Sequence, residues 1–380
     1  MDKIRKINVF VPGDSSLLNI WSNIPYLLTM TLEKQGYIVT RINIEPNHFF
    51  QKFWNNVLFR VISKFFRNTI YWYDRTLICY IETFIRIWFQ NRKYNDADLN
   101  LFVSYSFYNP FSSKPNVLLS DWDYETMIKE KRLRNPYFFE KWSIKRQKKI
   151  IQRADLVISL FSSAAEDMRV RYNKSNIVCL GKNVINVFFD REINENEILE
   201  RKQISNKLLF IGSIKYFEGA KLLIDSYSRL KPLYPLLELV IIGIGKEYFP
   251  ALPEGVTCYG YLDKGNKKEN ERYYDELINA RVIINATPVW AGYSSTIEGM
   301  YFYTPVIVSP YSDFVNEFGK ELDFGFYCQE FDVNSLKETI ELLFQRNDYQ
   351  QLCVNAREKV KEYTWENYVT KLMTEINNLQ

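Results

Sequence analysis

Lys207–Gly219 reads KLLFIGSIKYFEG, Leu237–Gly245 reads LELVIIGIG, and Pro288–Val306 reads PVWAGYSSTIEGMYFYTPV. Each stretch places glycines or small residues just beyond a run of aliphatic and β-branched residues. Runs of that length suit strands buried on both faces of a parallel sheet. In a doubly wound sheet, ligands bind beyond the carboxyl ends of the strands. Gly212, Ser213, Gly243 and Gly245 stand at such ends, where a missing Cβ lets backbone approach a ligand closely. Gly292-Tyr293-Ser294-Ser295-Thr296 can open a helix whose free N–H groups meet a diphosphate. Glu298, in the first turns of that helix, is placed to accept hydrogen bonds from ribose hydroxyls.

The same alternation extends outward in both directions. Val282–Asn285 and Pro305–Val308 complete a second-half set with Lys207–Gly212 and Leu237–Gly243. In the first half the strand candidates are Ile7–Val11, Tyr37–Ile44, Leu99–Ser104, Asn116–Leu119 and Asp155–Leu160. Helical patterns separate them, which indicates βα units and parallel sheets. Between the halves Asp190–Asn206 (DREINENEILERKQISN) starts without periodic apolar positions and reads as a linker or surface excursion. The expected organisation is a first domain over 1–185, a second over 186–362 and a terminal helix over 363–380. A length of 380 residues suits two cores of about 180 residues each.

Composition excludes several classes. Apolar residues make up 47%, so large cores form and global disorder is not expected. Five scattered cysteines without C-x-x-C argue against a disulfide framework or a zinc site. The apolar run after the basic N-terminus ends at Pro12-Gly13, too short for a signal-peptide core. No apolar run reaches the length of a membrane span. With one histidine, His48, and no G-x-S-x-G, a Ser-His-Asp hydrolase is not expected.

The net charge is +4, yet residues 49–93 and 129–153 together carry +14 and the remainder −10. Such asymmetry points to an anionic partner for the first half. Residues 49–93 also hold fourteen aromatics. Arg60, Lys64 and Arg67 recur on one helical face, with Leu58, Ile62, Phe65 and Phe66 on the other. Leu77, Ile81, Phe84, Ile85 and Trp88 form a second stripe. Lys52, Arg60, Lys64 and Arg67 lie among Phe50, Phe53, Trp54, Phe59, Phe65 and Phe66, the composition of helices resting in an anionic bilayer interface. The other reading is an aromatic core with a solvated cationic face. Nucleic acid is not expected, since no RNP, KH or helix-turn-helix pattern is present.

With these residues together, the second half resembles the C-terminal domain of family-4, GT-B-fold retaining glycosyltransferases (glycosyl transferases group 1). The resemblance runs through Lys207–Ser213, LLIDSYSRLKPLYPLLELVIIGIG at 222–245 and TIEGMYFYTPVIVSPYSDFVNEFG at 296–319. It extends to YTWENY at 363–368, which resembles that family's last helix, crossing back onto the first domain. Earlier, RADLVISLFSSAAEDM at 153–168 and LGKNVINVFF at 180–189 resemble its final first-domain unit and interdomain passage. The resemblance implies an α/β protein of two Rossmann-like doubly wound domains facing a cleft. It implies a first domain that binds acceptor and a second that binds nucleotide-sugar.

Two departures stand out. The family's E-x7-E pair would place glutamates at 290 and 298, but position 290 is Trp290, leaving Glu298 as the ribose partner. Cations usual on the diphosphate are replaced by Ser213 and Glu218. Lys215 and Lys221 are the nearby candidates for that charge, beside the amides at 293–296. Asp121-Trp122-Asp123 has the D-x-D form that holds a divalent cation in another glycosyltransferase fold. Its place in the first half favours surface or structural duty, or for Asp121 a role at the acceptor, over metal binding.

The expectation is therefore a retaining, metal-independent hexosyltransferase without a cofactor, the nucleotide-sugar being a substrate. It would move sugar to a glycan or lipid-linked acceptor in lipopolysaccharide, capsule or glycolipid synthesis. It would be cytoplasmic, peripheral on the inner face of the membrane. The rivals are a sugar-nucleotide epimerase, which needs several acid/base side chains, and a non-catalytic sugar-binding module of the same fold.

Overall fold

The computed structural model describes residues 4–379 apart from 19, 181–184, 186–187, 190, 193 and 289–292. The chain forms two compact units, Met1–Lys182 with Trp365–Gln380, and Asn183–Thr364.

The first unit is built on a parallel sheet of β1 (Lys6–Val11), β2 (Ile38–Asn43), β3 (Leu99–Phe102), β4 (Asn116–Ser120), β5 (Leu156–Ser159) and β6 (Ile177–Cys179), in the order β2-β1-β3-β4-β5-β6. Register is set by apolar residues on both faces: Val9 lies opposite Leu101, Leu101 opposite Val117 and Leu118 opposite Val157. Helix Ile24–Lys34 starts with Pro25 in its first turn, where the missing N–H costs nothing. The terminal helix Trp365–Asn377 buries Trp365, Tyr368, Leu372 and Ile376. Gln35 Nε2 donates to Glu366 O at 3.0 Å, tying this helix to the end of the first one.

The second unit carries β7 (Lys207–Ile211), β8 (Glu238–Ile242), β9 (Val256–Gly260), β10 (Val282–Asn285), β11 (Val306–Val308) and β12 (Gly325–Tyr327) in the order β12-β11-β10-β7-β8-β9. All pairs are parallel. The order reverses between β10 and β7, which makes their carboxyl ends the topological switch point.

Part of Asp190–Asn206 is not a linker. Glu195–Ile204 is a helix capped by Asn194, whose side chain accepts from the Glu197 N–H. Its anchors are Ile198 and Lys202, and Lys202 is fully buried. Lys202 Nζ donates to Leu277 O and Ala280 O, both at 3.0 Å, and to Thr304 Oγ1 at 2.7 Å. A lysine at an apolar position hid the amphipathic pattern. Burial pushes this amine down to about 7.

Candidate active site

At the switch point of the second unit, backbone takes the place of side chains. A Cβ on Gly243 would stand 2.4 Å from Gly212 O, and Gly243 has φ +96°, so only glycine fits there. A Cβ on Gly219 would lie 2.2 Å from Thr287 Oγ1. That hydroxyl is buried with no hydrogen-bond partner among the described residues. Gly245 bridges to Tyr259 beside the end of β9. Helix Ser294–Tyr301 starts against β7, where Ser295 Oγ donates to Ile211 O at 3.2 Å. Tyr293 and Thr296 are buried at 1% exposure each, so their side chains pack into the unit rather than reach toward a ligand. Gly292 and Trp290 lie outside the described residues. Ser213, Lys215 and Lys221 are exposed around the end of β7.

Glu298 is not a carboxylate open to solvent. It is 2% exposed. Lys264 Nζ donates to its Oε1 at 2.7 Å and its Oε2 at 2.8 Å. Tyr273 and Tyr274 donate their hydroxyls at 2.8 and 3.0 Å. The Lys264 ammonium stands 4.2 Å over the Tyr273 ring. Burial lowers this lysine, and the charge and bonds of Glu298 oppose that shift. The Tyr274 hydroxyl also accepts the Phe188 N–H at 2.6 Å. The sequence reading missed all three partners. Lys264 lies in a turn after β9, an edge strand whose VTCYG pattern gave no apolar run.

The first unit has a cavity of about 320 Å³ at the carboxyl ends of β1 to β4. Arg75, Ser104, Ser106, Asp121, Trp122 and Gln147 line it among others. Arg75 Nη1 donates to Ser106 Oγ at 3.2 Å, and Arg75 pairs with Asp74 at 3.0 Å. The Asp121 carboxylate accepts the Trp122 N–H at 2.8 Å and the Ser120 hydroxyl at 3.2 Å. Burial raises the Asp121 carboxyl above its ordinary range, against those hydrogen bonds and the Arg75 charge. Sequence reasoning singled out Asp121 but not Arg75 or the serines, which sit on separate elements.

Asp123 has a different task. It is fully buried, caps the following turn through the Thr126 N–H at 2.9 Å, and pairs with Arg171 at 2.7 and 3.2 Å. Tyr172 donates its hydroxyl to it as well. Burial alone would raise this carboxyl, but Arg171 and the hydroxyl donors outweigh it and hold it low. The D-x-D tripeptide therefore divides between a cavity wall and a structural ion pair. Among the described residues no group of three or more His, Cys, Asp or Glu could hold a metal. His48 is exposed, 3.7 Å from Glu45.

The aromatic segment separates into two sets. Trp54 is half-buried and donates Nε1–H to Tyr71 O at 3.2 Å. Phe59 is 9% exposed and stacks on Trp72, and Phe66 packs edge-on to Tyr137 and Phe139. These three face inward, as the core alternative has it and contrary to the interfacial one. Phe49, Phe50, Phe53, Val61 and Phe65 remain exposed, Phe65 at 78%. Lys52, Arg60, Lys64 and Arg67 are exposed beside them. On helix Leu77–Lys93 the buried residues are Cys79, Thr83 and Ile87, while Leu77, Ile81 and Ile85 of the apolar stripe point out. No helix among the described residues is long and apolar enough to cross a membrane.

Residues 191–364 match the family model described as glycosyl transferases group 1. That span is a group 1 glycosyl transferase domain. Sucrose-phosphate synthase from Thermosynechococcus elongatus is 16% identical, with a TM-score of 0.68 over 99% of each chain. A glycosyltransferase from Rickettsia africae is 13% identical, with a TM-score of 0.63 over 100% of this chain and 99% of that one. HepE from Anabaena, solved in complex with UDP-glucose, is 13% identical with a TM-score of 0.58, covering 98% of this chain and 99% of that one. No curated protein matches the chain in sequence. At these identities the likeness carries the fold, a two-domain α/β protein of the GT-B type.

Proposed function

We propose that this glycosyl transferase takes a sugar from a nucleoside diphosphate held by the second unit. It delivers that sugar to a hydroxyl of a glycan or lipid-linked acceptor held by the first. The observation that carries this reading is the bare backbone around the end of β7, where Gly212, Gly243 and the start of helix Ser294–Tyr301 come together within the family-matched span. The amides at 293–296 face the diphosphate, Lys215 and Lys221 supply cationic charge, and Glu298 receives the ribose. The cavity holding Asp121 and Arg75 takes the acceptor, with polar groups suited to hydroxyls.

The transfer is retaining. The bond from the anomeric carbon to the phosphate oxygen breaks as the acceptor oxygen bonds on the same face. The departing phosphate takes the acceptor proton. No protein base, cofactor or metal is required, so turnover survives EDTA.

The first unit rests on an anionic membrane surface on its cytoplasmic side. Phe49, Phe50, Phe53 and Phe65 enter the interface, and Lys52, Arg60, Lys64 and Arg67 meet headgroups. The product is a surface glycan or glycolipid.

A thermal-shift screen of nucleotide-sugars finds the donor, and anomeric analysis of the product tests retention. Release of the sugar to water alone, with no acceptor raising the rate, would favour a different reaction. Stabilisation by free sugars but by no nucleotide-sugar would favour a non-catalytic sugar-binding module.

A further inference from the structure

The carboxylate of Glu298 has no vacancy. An ionised carboxylate offers about four acceptor positions, and Glu298 makes four contacts, two from Lys264 and one each from Tyr273 and Tyr274. A ribose can reach it only by replacing a donor. The tyrosines cannot readily leave, because both are buried on helix Lys267–Asn279 and Tyr274 also holds the Phe188 N–H. Lys264 is different. It reaches in on a flexible stem from a turn whose neighbours Asp263, Gly265 and Asn266 are exposed.

We propose that Lys264 closes the ribose subsite and yields it to the vicinal 2′- and 3′-hydroxyls of the nucleotide, which makes it a specificity-determining residue for ribonucleotides. The inference rests on the reading that Glu298 receives ribose. Two hydroxyl donors replace the two lysine contacts, so the buried carboxylate remains fully bonded throughout. The displaced ammonium enters a region that the incoming diphosphate has just made negative. A ligand without the vicinal diol cannot replace the lysine contacts, so the lysine stays in place.

The Tyr273 ring under the Lys264 ammonium supplies the readout. Ring current shifts the Lys264 ε-methylene resonance in protein labelled with 13C-lysine, and the Lys264→Met variant assigns the signal. UDP, GDP and ADP, their 2′,3′-dideoxy counterparts and inorganic pyrophosphate are titrated in turn, with calorimetry on the same samples. The expected result is that a ribonucleoside diphosphate that binds moves the signal to the position of exposed lysines. Its dideoxy counterpart and pyrophosphate leave it unmoved. If a ribonucleoside diphosphate binds and the signal stays, the exchange is wrong while the nucleotide reading stands. A signal moved by pyrophosphate alone overturns the ribose selectivity. If none of the three nucleotides binds, the reading falls and the exchange with it.

Discussion

The carboxyl ends of the two sheets present opposite solutions to holding a ligand. In the first unit the end is open, a cavity of about 320 Å³ with Asp121 and Arg75 in its wall. In the second unit glycine backbones close on one another and Glu298 lies buried under Lys264. A polar cavity wall tolerates substitution better, because Asp121, Arg75, Ser104 and Ser106 are only partly buried. A buried ion pair does not, because removing one partner strands the other charge. Site residues in the two units should therefore fail in different ways.

The largest effect is expected at Glu298. Glu298→Ala leaves the Lys264 ammonium and two tyrosine hydroxyls without their acceptor. Stability should fall by about 3–5 kcal/mol, the cost of breaking a buried pair from one side. Denaturant titration measures it. A loss below about 1 kcal/mol would mean that the pair is not formed in solution.

Asp123→Ala is the matching test in the first unit, since Asp123 is also fully buried and paired with Arg171. A loss of about 3 kcal/mol is expected, whereas its neighbour, altered as Asp121→Asn, should change stability by less than about 1 kcal/mol. Their pH dependences should have opposite signs. Asp123 is held low in the folded state, so its contribution is present above the unfolded carboxylate value of about 3.9 and is lost as pH falls. Asp121 is raised by burial, so the folded form binds its proton more tightly, and that contribution is present below the unfolded value and lost as pH rises above it through the raised one. Denaturation followed across acidic pH should show Asp123→Ala flattening the acid loss and Asp121→Asn steepening it. The same slope in both variants would remove the distinction.

In the aromatic and basic segment, reversal of Arg60, Lys64 and Arg67 to Glu should leave the fold intact, because all three are exposed. Each cation near an anionic surface contributes about 1 kcal/mol, so at least roughly 3 kcal/mol of binding should vanish. Sedimentation with anionic and neutral vesicles, at low and high salt, reads this directly. Equal binding to neutral vesicles would assign the attraction to the exposed phenylalanines alone.

Much of the fold was readable because most strands are buried on both faces. Val282–Asn285 was bounded to the residue, and Lys207–Gly212 differs from β7 by one. The three strands that escaped, β6, β9 and β12, are all sheet edges. IVC and GFY are too short for a pattern, and VTCYG is half-exposed. The edge strand that was found, β2, announces itself through IVTRIN, rich in β-branched residues. The candidate site followed the same logic. Gly212 and Gly243 could be named because they follow strong strands, and Glu298 because it lies in the first turns of the helix that the Ser-rich turn opens. Lys264 could not, because it stands 34 residues from Glu298 in sequence, after an unrecognised strand. The apolar stripe on helix Leu77–Lys93 was legible as a stripe, but the sequence did not disclose that Cys79, Thr83 and Ile87 form the inward face instead.

The division of labour between the two strand ends is open to one direct measurement. Calorimetric titration of a panel of nucleotide-sugars into the wild-type protein, Glu298→Gln and Asp121→Asn asks which end holds the nucleotide. The expected result is one nucleotide-sugar bound by the wild type and by Asp121→Asn with equal affinity, and bound at least tenfold more weakly by Glu298→Gln, about 1.4 kcal/mol. Unchanged binding in Glu298→Gln together with its loss in Asp121→Asn would place the nucleotide in the first unit and contradict the assignment.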